Sequence, residues 1–453
     1  MYTILGSGLA GLSASYHIGH NNCVLYDKNN YVGGHIHSDF INGFTWDEGP
    51  HVSFTEHEYV KNLFDESVKG EFLEYSVKTI NYYKGNWIPH PAQSNLFAVP
   101  QPLRDNCLND FLGARSFYTE DFSPENYREW LDYSFGNRFA DTFPAAYTRK
   151  YWTVTPELLT TDWVGNRMFS PKVEQVKEGY YGPLNEETHY IKKVRYPLNG
   201  GYMAYAKKLL AYANINLGYN LSSINFGTRK IEFLNDKHIY YDKLISTLPL
   251  PLLIERSNAP IEVKKAAELL NCTSVLLVNV TANHETVRTE NWIYIYDENK
   301  YSTRINCTEL LSPNNAPIGK TGVQVEVYFS SYKKKTETDT EISLKVIDEL
   351  IEMGLIQSKD NIESYHSKWI TWANVIFDHK RIEAQNTILN YLETHGLVRE
   401  EDDLLPMTNW QEKMSHNQKF GDIILAGRFG QWKYYWTDDC VLRGKLIKDN
   451  IQK

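Results

Sequence analysis

Tyr2-Thr3-Ile4-Leu5-Gly6-Ser7-Gly8-Leu9-Ala10-Gly11 decides the fold. A short apolar strand runs into a Gly-x-Gly-x-x-Gly turn formed by Gly6, Gly8 and Gly11. A small-residue helix follows over Leu12–Gly19, then a second strand over Cys23–Tyr26. Asp27 ends that strand, 21 residues after Gly6. Strand, glycine turn, helix, strand and acid in that order form the βαβ context of a dinucleotide-binding unit. The glycines let the backbone approach a pyrophosphate at the helix N-terminus. Asp27 is the expected acceptor for a ribose hydroxyl. The plainer alternative is a glycine turn in an ordinary α/β unit.

The chain has 453 residues, enough for two or three domains at about 150 residues each. Its composition is globular, with 42% apolar and 23% charged residues. No apolar run reaches the roughly 18 residues of a membrane span. Leu244–Ile254, interrupted by Pro249 and Pro251, reads as a buried strand entering a loop. The N-terminus shows no basic, signal-like segment. Cys23, Cys107, Cys272, Cys307 and Cys440 are scattered, with no Cys-x-x-Cys pair. That pattern indicates neither a disulfide framework nor a zinc cage, so no metal is expected and a reducing, cytoplasmic setting is. A net charge of -9 argues against a nucleic-acid partner. The 32 Tyr and 11 Trp suit a sugar or nucleotide site, or simply a tyrosine-rich composition.

Gly33-Gly34 begins six residues after Asp27. A second glycine pair there resembles FAD enzymes of the glutathione-reductase type. The stretch Ile239–Leu250, IYYDKLISTLPL, resembles the strand by which such chains return to the nucleotide domain after an insertion.

Further segments, from Tyr2 to about Lys445, together resemble the UDP-galactopyranose mutase family in its longer form. Asp47-Glu48-Gly49-Pro50-His51-Val52 resembles the loop that sets a histidine against the flavin; otherwise His51 is a loop histidine with a structural hydrogen bond. Gly85–Asn95 resembles the loop bordering the nucleotide base, with His90 and Ala92 in place of the usual aromatics and Gln93 retained. Phe143–Trp152 resembles the family helix carrying Tyr147 and Trp152, with Thr148 for the usual Asn. Arg167 lies 15 residues after Trp152, and Arg304 lies 12 after Trp292. Both are family spacings for the two arginines that clamp a diphosphate, a task that planar guanidinium groups suit. A surface charge is the alternative for either. Gly427-Arg428-Phe429-Gly430-Gln431-Trp432-Lys433-Tyr434 is the nearest match to a family motif. There Arg428 reaches the flavin and Tyr434 the substrate phosphate, with Asp438 at the following helix near the ring. Asn374 stands where the family has a phosphate-contacting tyrosine.

The resemblance implies an α/β fold with α+β insertions: an FAD-binding Rossmann-like domain, an inserted helical domain and an antiparallel β-sheet substrate domain. The expected parts are residues 1–80 and 191–255 for FAD binding, 81–104 for a substrate-side loop and strands, and 105–190 for helices. Residues 256–400 form the substrate sheet and 401–453 a last FAD-binding segment. Within them, a helix is expected over Pro124–Asn137 with Ser123 as its cap, and another over Glu341–Met353. Strands are expected over Ser274–Val280, Trp292–Tyr296 and Gly322–Tyr328.

The implied function is a flavin-dependent mutase that interconverts pyranose and furanose forms of a nucleotide-diphosphate sugar. Reduced FAD is its nucleophile, through N5, at the anomeric carbon, with NAD(P)H a candidate reductant. The implied catalytic residues are His51, Arg167, Arg304 and Tyr434. Cofactor residues are Gly6, Gly8, Gly11, Asp27, Gly33, Gly34, His51, Arg428 and Asp438. Substrate residues are His90, Gln93, Tyr147, Thr148, Trp152, Arg167, Asn185, Tyr294, Arg304, Asn374 and Tyr434. The departures at His90, Ala92, Thr148 and Asn374 leave base and sugar open, and the chain is compatible with a homo-oligomer. The rival is an FAD oxidase or dehydrogenase of the amine-oxidase or protoporphyrinogen-oxidase kind, which needs a greasy tunnel and no arginine clamp. A non-enzymatic relative on the same scaffold is a third reading, opposed by the intact glycine motif, Asp27 and the Gly427–Gly430 segment.

Overall fold

The computed structural model describes residues 1–118, 121–165, 170–184 and 193–451. Strand Tyr2–Leu5 lies at the centre of a five-stranded parallel sheet. The sheet order is Ile423–Leu425, Lys243–Ser246, Tyr2–Leu5, Cys23–Tyr26, Ile215–Asn216. Ile4 pairs with Leu25 on one side and Ile245 on the other, and Ile245 with Ile424. All four side chains are at most 1% exposed. Strands covered on both faces need such unbroken apolar runs, which explains the lack of alternation in Ile4-Leu5 or Leu244-Ile245.

Helix Leu9–Ile18 leaves the central strand and packs on helix Thr437–Ile451. Small residues allow the close approach. Ser13 Oγ donates to Val441 O at 2.7 Å, and a Cβ on Gly444 would stand 2.2 Å from that same Oγ.

The expected return strand divides in two. Its first residues belong to strand His238–Tyr240, in a three-stranded antiparallel sheet with Leu221–Asn225 and Lys230–Phe233. Only Lys243–Ser246 rejoins the parallel sheet. The expected loop beyond it is helix Leu250–Glu255, with Pro249 and Pro251 at its start. A proline there removes an N–H that the first turn leaves unpaired in any case.

A seven-stranded sheet covers the other side of the molecule. Its order is Ile362–Val375, Cys272–Ala282, Thr321–Phe329, Arg304–Cys307, Trp292–Ile295, Thr79–Tyr83, Asn86–Pro89. Pairing is antiparallel except between Trp292–Ile295 and Thr79–Tyr83. Helix Asp339–Glu352 covers the apolar face, opened by a capping box of Thr338 and Glu341.

Between the sheets lies a helical layer that includes Leu103–Phe117, Tyr127–Phe135 and Ala146–Tyr151. The helix expected from Pro124 starts later. Asn126, not Ser123, is its cap and accepts from Glu129 N at 3.1 Å. Gly136 ends it with φ +75°. A widened π turn, Asp141–Ala145, contains Pro144 and leads into Ala146–Tyr151. Thr148 Oγ1 donates to Pro144 O at 2.7 Å across the start of this helix.

Candidate active site

The parallel sheet, the helical layer and the seven-stranded sheet enclose a cavity of about 750 Å³. It lies at the carboxyl ends of the parallel strands, where open α/β sheets take their ligands. One end is made of backbone. Gly6 has φ +99°, and a Cβ there would stand 2.1 Å from Thr247 Oγ1. Gly33 N donates to Ser7 O at 3.0 Å, and a Cβ on Gly34 would come within 3.1 Å of Gly8 Cα. The two glycine pairs thus lie against each other with no side chain to fill the cavity. Gly8 offers helix Leu9–Ile18 no side-chain cap, so the first-turn N–H groups suit an anion. A side-chain-free cradle joined to an uncapped helix N-terminus fits a dinucleotide diphosphate. Gly11 lies outside the cavity lining and instead touches the turn, where a Cβ would stand 2.1 Å from Gly6 O.

Asp27 borders this end, but the protein already uses its carboxylate. Oδ2 accepts from Ser7 N and Ser7 Oγ, both at 2.7 Å, and Oδ1 from Asn29 N at 2.9 Å. A carboxylate has further lone-pair directions for a ribose hydroxyl.

His51 lies at mid-cavity. Its Nδ1 donates to Gly49 O at 3.1 Å, which leaves Nε2 as the acceptor. Burial pushes the imidazole down to about 4, so it is neutral at pH 7. A neutral ring can tune a flavin by hydrogen bonding, not as a cation. The structural hydrogen bond of the alternative reading is therefore present as well. Beside it Glu48 bonds His35 Nδ1 at 3.1 Å and Lys368 Nζ at 2.8 Å, and Lys368 also reaches Asp39.

The other end is built on one register row. Asn81 pairs with Tyr294, Tyr294 with Arg304, and Arg304 with Glu326, across four neighbouring strands. His90 Nδ1 donates to Asn81 Oδ1 at 3.0 Å, and its ring lies 5.0 Å from that of Tyr294. Trp292 Nε1 donates to the Tyr294 hydroxyl at 2.9 Å. The helix beyond Pro144 brings in Tyr147 and Tyr151, with Tyr147 edge-on to Tyr294 at 5.4 Å. The Tyr147 hydroxyl is buried and has no partner among the described residues.

Arg428 and Asn374 meet on the cavity wall. Arg428 Nη2 donates to Asn374 Oδ1 at 2.8 Å, and the Tyr151 hydroxyl donates to the same oxygen at 3.1 Å. Among the described residues Arg428 Nε is buried without a partner and this arginine meets no carboxylate. Its guanidinium lies 5.2 Å from the ring centre of Tyr434. Tyr434 in turn packs on Trp152 at 5.7 Å and Phe377 at 5.6 Å.

Gln93, Thr148, Trp152 and Asp438 also line the cavity. Ala92 does not; it is buried in the core under the helical layer. Arg167 and Asn185 lie outside the described residues. Glu326, Tyr151, Tyr296 and Tyr328 also reach the cavity, and no motif in the sequence singles them out. One signal was present. In Gly322–Phe329 valines alternate with Gln324, Glu326 and Tyr328, so a strand buried on both faces carries a polar face.

This architecture defines a flavin-dependent enzyme fold with a second, ligand-sized compartment beside the dinucleotide turn. The chain belongs to the flavin containing amine oxidoreductase family, whose model matches residues 9–393. Its fold is similar to that of reduced UDP-galactopyranose mutase, at TM-score 0.86 and 23% identity over 100% of this chain and 95% of the other. It is also similar to an Exiguobacterium sp. protein provisionally assigned as a protoporphyrinogen oxidase, at TM-score 0.70 and 14% identity over 100% and 98%. An oxidoreductase from Methanosarcina mazei follows at TM-score 0.54 and 15% identity, over 83% and 90%. The fold resemblance expected from the motifs is therefore met. No helix among the described residues is long and apolar enough to cross a membrane.

Proposed function

We propose that the protein is a flavin-dependent mutase acting on a nucleotide-diphosphate sugar, with FAD on the Gly6–Gly8 and Gly33–Gly34 cradle. The observation that carries this reading is the donor set at the far end of the cavity. Arg304, Arg428 and the Tyr147 hydroxyl, the last unpartnered among the described residues, line the cavity together with stacked tyrosines. The donor hydrogens left over on Arg428 Nε, the Tyr147 hydroxyl and the Nη1 end of Arg304 suit an anionic, oxygen-rich ligand, and an apolar amine would leave them unpaired at a cost of about 1–3 kcal/mol each.

Reduced FAD, when bound, supplies the nucleophile for the anomeric carbon. This chain's residues do the rest. Arg304 and Arg428 bind the diphosphate and stabilise its charge as the glycosyl bond breaks. Tyr294, Tyr147 and His90 present ring faces and edges for the base or sugar. Asn374 orients Arg428, and Tyr434 packs against its guanidinium. His51 offers the flavin a neutral imidazole. Arg167, 15 residues past Trp152, is the proposed second member of the clamp.

The test is to reduce the purified flavoprotein and titrate UDP-, GDP- and dTDP-sugars while following flavin absorbance, with furanose product as the readout. Isomerisation that requires reduced flavin supports the mutase and names the base. Oxygen consumption with an amine or porphyrinogen, and no response to nucleotide sugars, selects the oxidase reading instead.

A further inference from the structure

Glu326 is a carboxylate at the end of the cavity where Arg304 and the tyrosines gather. It lies on strand Thr321–Phe329, directly opposite Arg304, and is 3% exposed. Arg304 gives it two parallel hydrogen bonds, Nε to Oε2 and Nη2 to Oε1, both at 2.7 Å. The Tyr328 hydroxyl donates to Oε2 at 3.0 Å. On the cofactor side, Oε1 would stand 2.7 Å from a Cβ on Gly49, a residue with φ +86°. The glycine leaves the carboxylate room beneath the turn that leads to His51.

This geometry fixes which part of Arg304 a ligand can use. The Nε–Nη2 edge is the usual two-point edge for carboxylate or phosphate. Here it is occupied. The Nη1 end and the second Nη2 hydrogen remain. The charge is also compensated, so the site attracts an anion through geometry more than through net charge.

We infer that Glu326 is a positioning residue for Arg304: it holds the guanidinium edge-on and turns its Nη1–Nη2 end to the ligand's diphosphate. It also competes with that diphosphate for the arginine, so the anion is held without being trapped. This rests on the reading that the ligand is a nucleotide-diphosphate sugar. It adds that a built-in carboxylate sets how tightly the diphosphate binds.

The test uses the flavin-loaded protein with inorganic pyrophosphate and UDP, by calorimetry. E326Q keeps the side-chain volume and removes the charge. It should bind pyrophosphate about tenfold more tightly, because an unpaired buried arginine gains more from an anion. E326D keeps the charge and should stay within about threefold of wild type. In an R304A background, E326Q should gain clearly less than in wild type, because only the direct repulsion between carboxylate and anion is then relieved; an equal gain in both backgrounds overturns the inference. With a nucleotide sugar that turns over, E326Q should lower KM and kcat together, a split that a purely structural role would not produce.

Affinity in folded E326Q equal to or weaker than wild type overturns the inference. If E326Q does not fold, R304K against E326D decides. R304K keeps a charge without an edge and should lose at least about tenfold, whereas E326D should not; equal affinities overturn the inference. The expected variant pattern with pyrophosphate, but no nucleotide-sugar turnover, upholds the inference and rejects the mutase. Turnover with E326Q unchanged does the reverse. A wild-type protein that binds neither pyrophosphate nor UDP rejects both.

Discussion

Arg428 Nη2 and the Tyr151 hydroxyl converge on a single oxygen, Asn374 Oδ1, at 2.8 and 3.1 Å. The asparagine is 4% exposed, and its backbone N bonds Thr273 Oγ1 at 3.1 Å, so its position is fixed by the strand. Asn374→Ala removes the shared acceptor and leaves two donors without it. The expected loss is about 1–3 kcal/mol in thermal stability, with weaker anion binding as Arg428 loses its orientation. Melting curves and pyrophosphate titrations check both. Asn374→Asp should instead keep the stability and weaken anion binding, through repulsion.

Tyr147→Phe gives effects of opposite sign in two assays. The hydroxyl is buried with no partner among the described residues, so its removal costs the ligand-free protein nothing and relieves an unsatisfied group. The flavin-loaded variant should melt no lower than wild type. Its affinity for a nucleotide sugar should fall by roughly 0.5–1.5 kcal/mol, the net value of one hydrogen bond. A lower melting point would mean that the hydroxyl serves the fold.

His51 gives a pH dependence. Its pKa is about 4 in the folded protein, below the ordinary histidine value, with burial the largest cause. A group with a depressed folded pKa contributes stability in full above its unfolded pKa, near 6.5, and loses it as pH falls toward 4. The full contribution is roughly 3 kcal/mol. His51→Gln should flatten the decline in melting temperature between pH 7 and pH 4.5. Parallel declines in the two proteins would show that the imidazole is not held neutral.

Gly444→Ala tests the contact between helices Leu9–Ile18 and Thr437–Ile451. The added methyl meets Ser13 Oγ at 2.2 Å and Ser13 backbone carbon at 2.5 Å, so the helices must separate. Overpacking of this kind costs about 1–3 kcal/mol. Because Leu9–Ile18 carries the glycine turn, flavin retention after gel filtration should fall with the melting temperature.

The parts of the fold that were legible are those where local chemistry leaves few choices. Gly6, Gly33 and Gly34 announced a backbone-lined cradle because their positive φ and close approaches suit only glycine. Strands Cys272–Ala282 and Thr321–Phe329 were visible as β-branched runs. Boundaries decided by competition were not. Ser123-Pro124 carries a good start signal, yet Asn126 wins by reaching Glu129 N and setting the first turn against Leu159 O. Ile239–Leu250 reads as one strand, but the turn at Tyr241-Asp242 assigns its halves to two sheets. In the site, Arg304 was found by spacing. Glu326 was not, because its role depends on a partner 22 positions away that only strand register brings opposite. Arg167 and Asn185 fall outside the described residues, so the clamp's other half stands on sequence alone.

The packing of Leu9–Ile18 on Thr437–Ile451 has a kinetic consequence. The first strand of the chain waits for neighbours at residues 243–246, and the first helix for residues 437–451. During synthesis the glycine turn therefore emerges early with only Cys23–Tyr26, Asp27 and Gly33 beside it, and lacks its other strand neighbour and its packed helix until nearly the whole chain has been made. Pairings this distant in sequence form late and fold slowly. Cofactor capture is then one of the last events in maturation, and free flavin in the refolding buffer should raise the yield of native protein more than it raises the rate of early collapse.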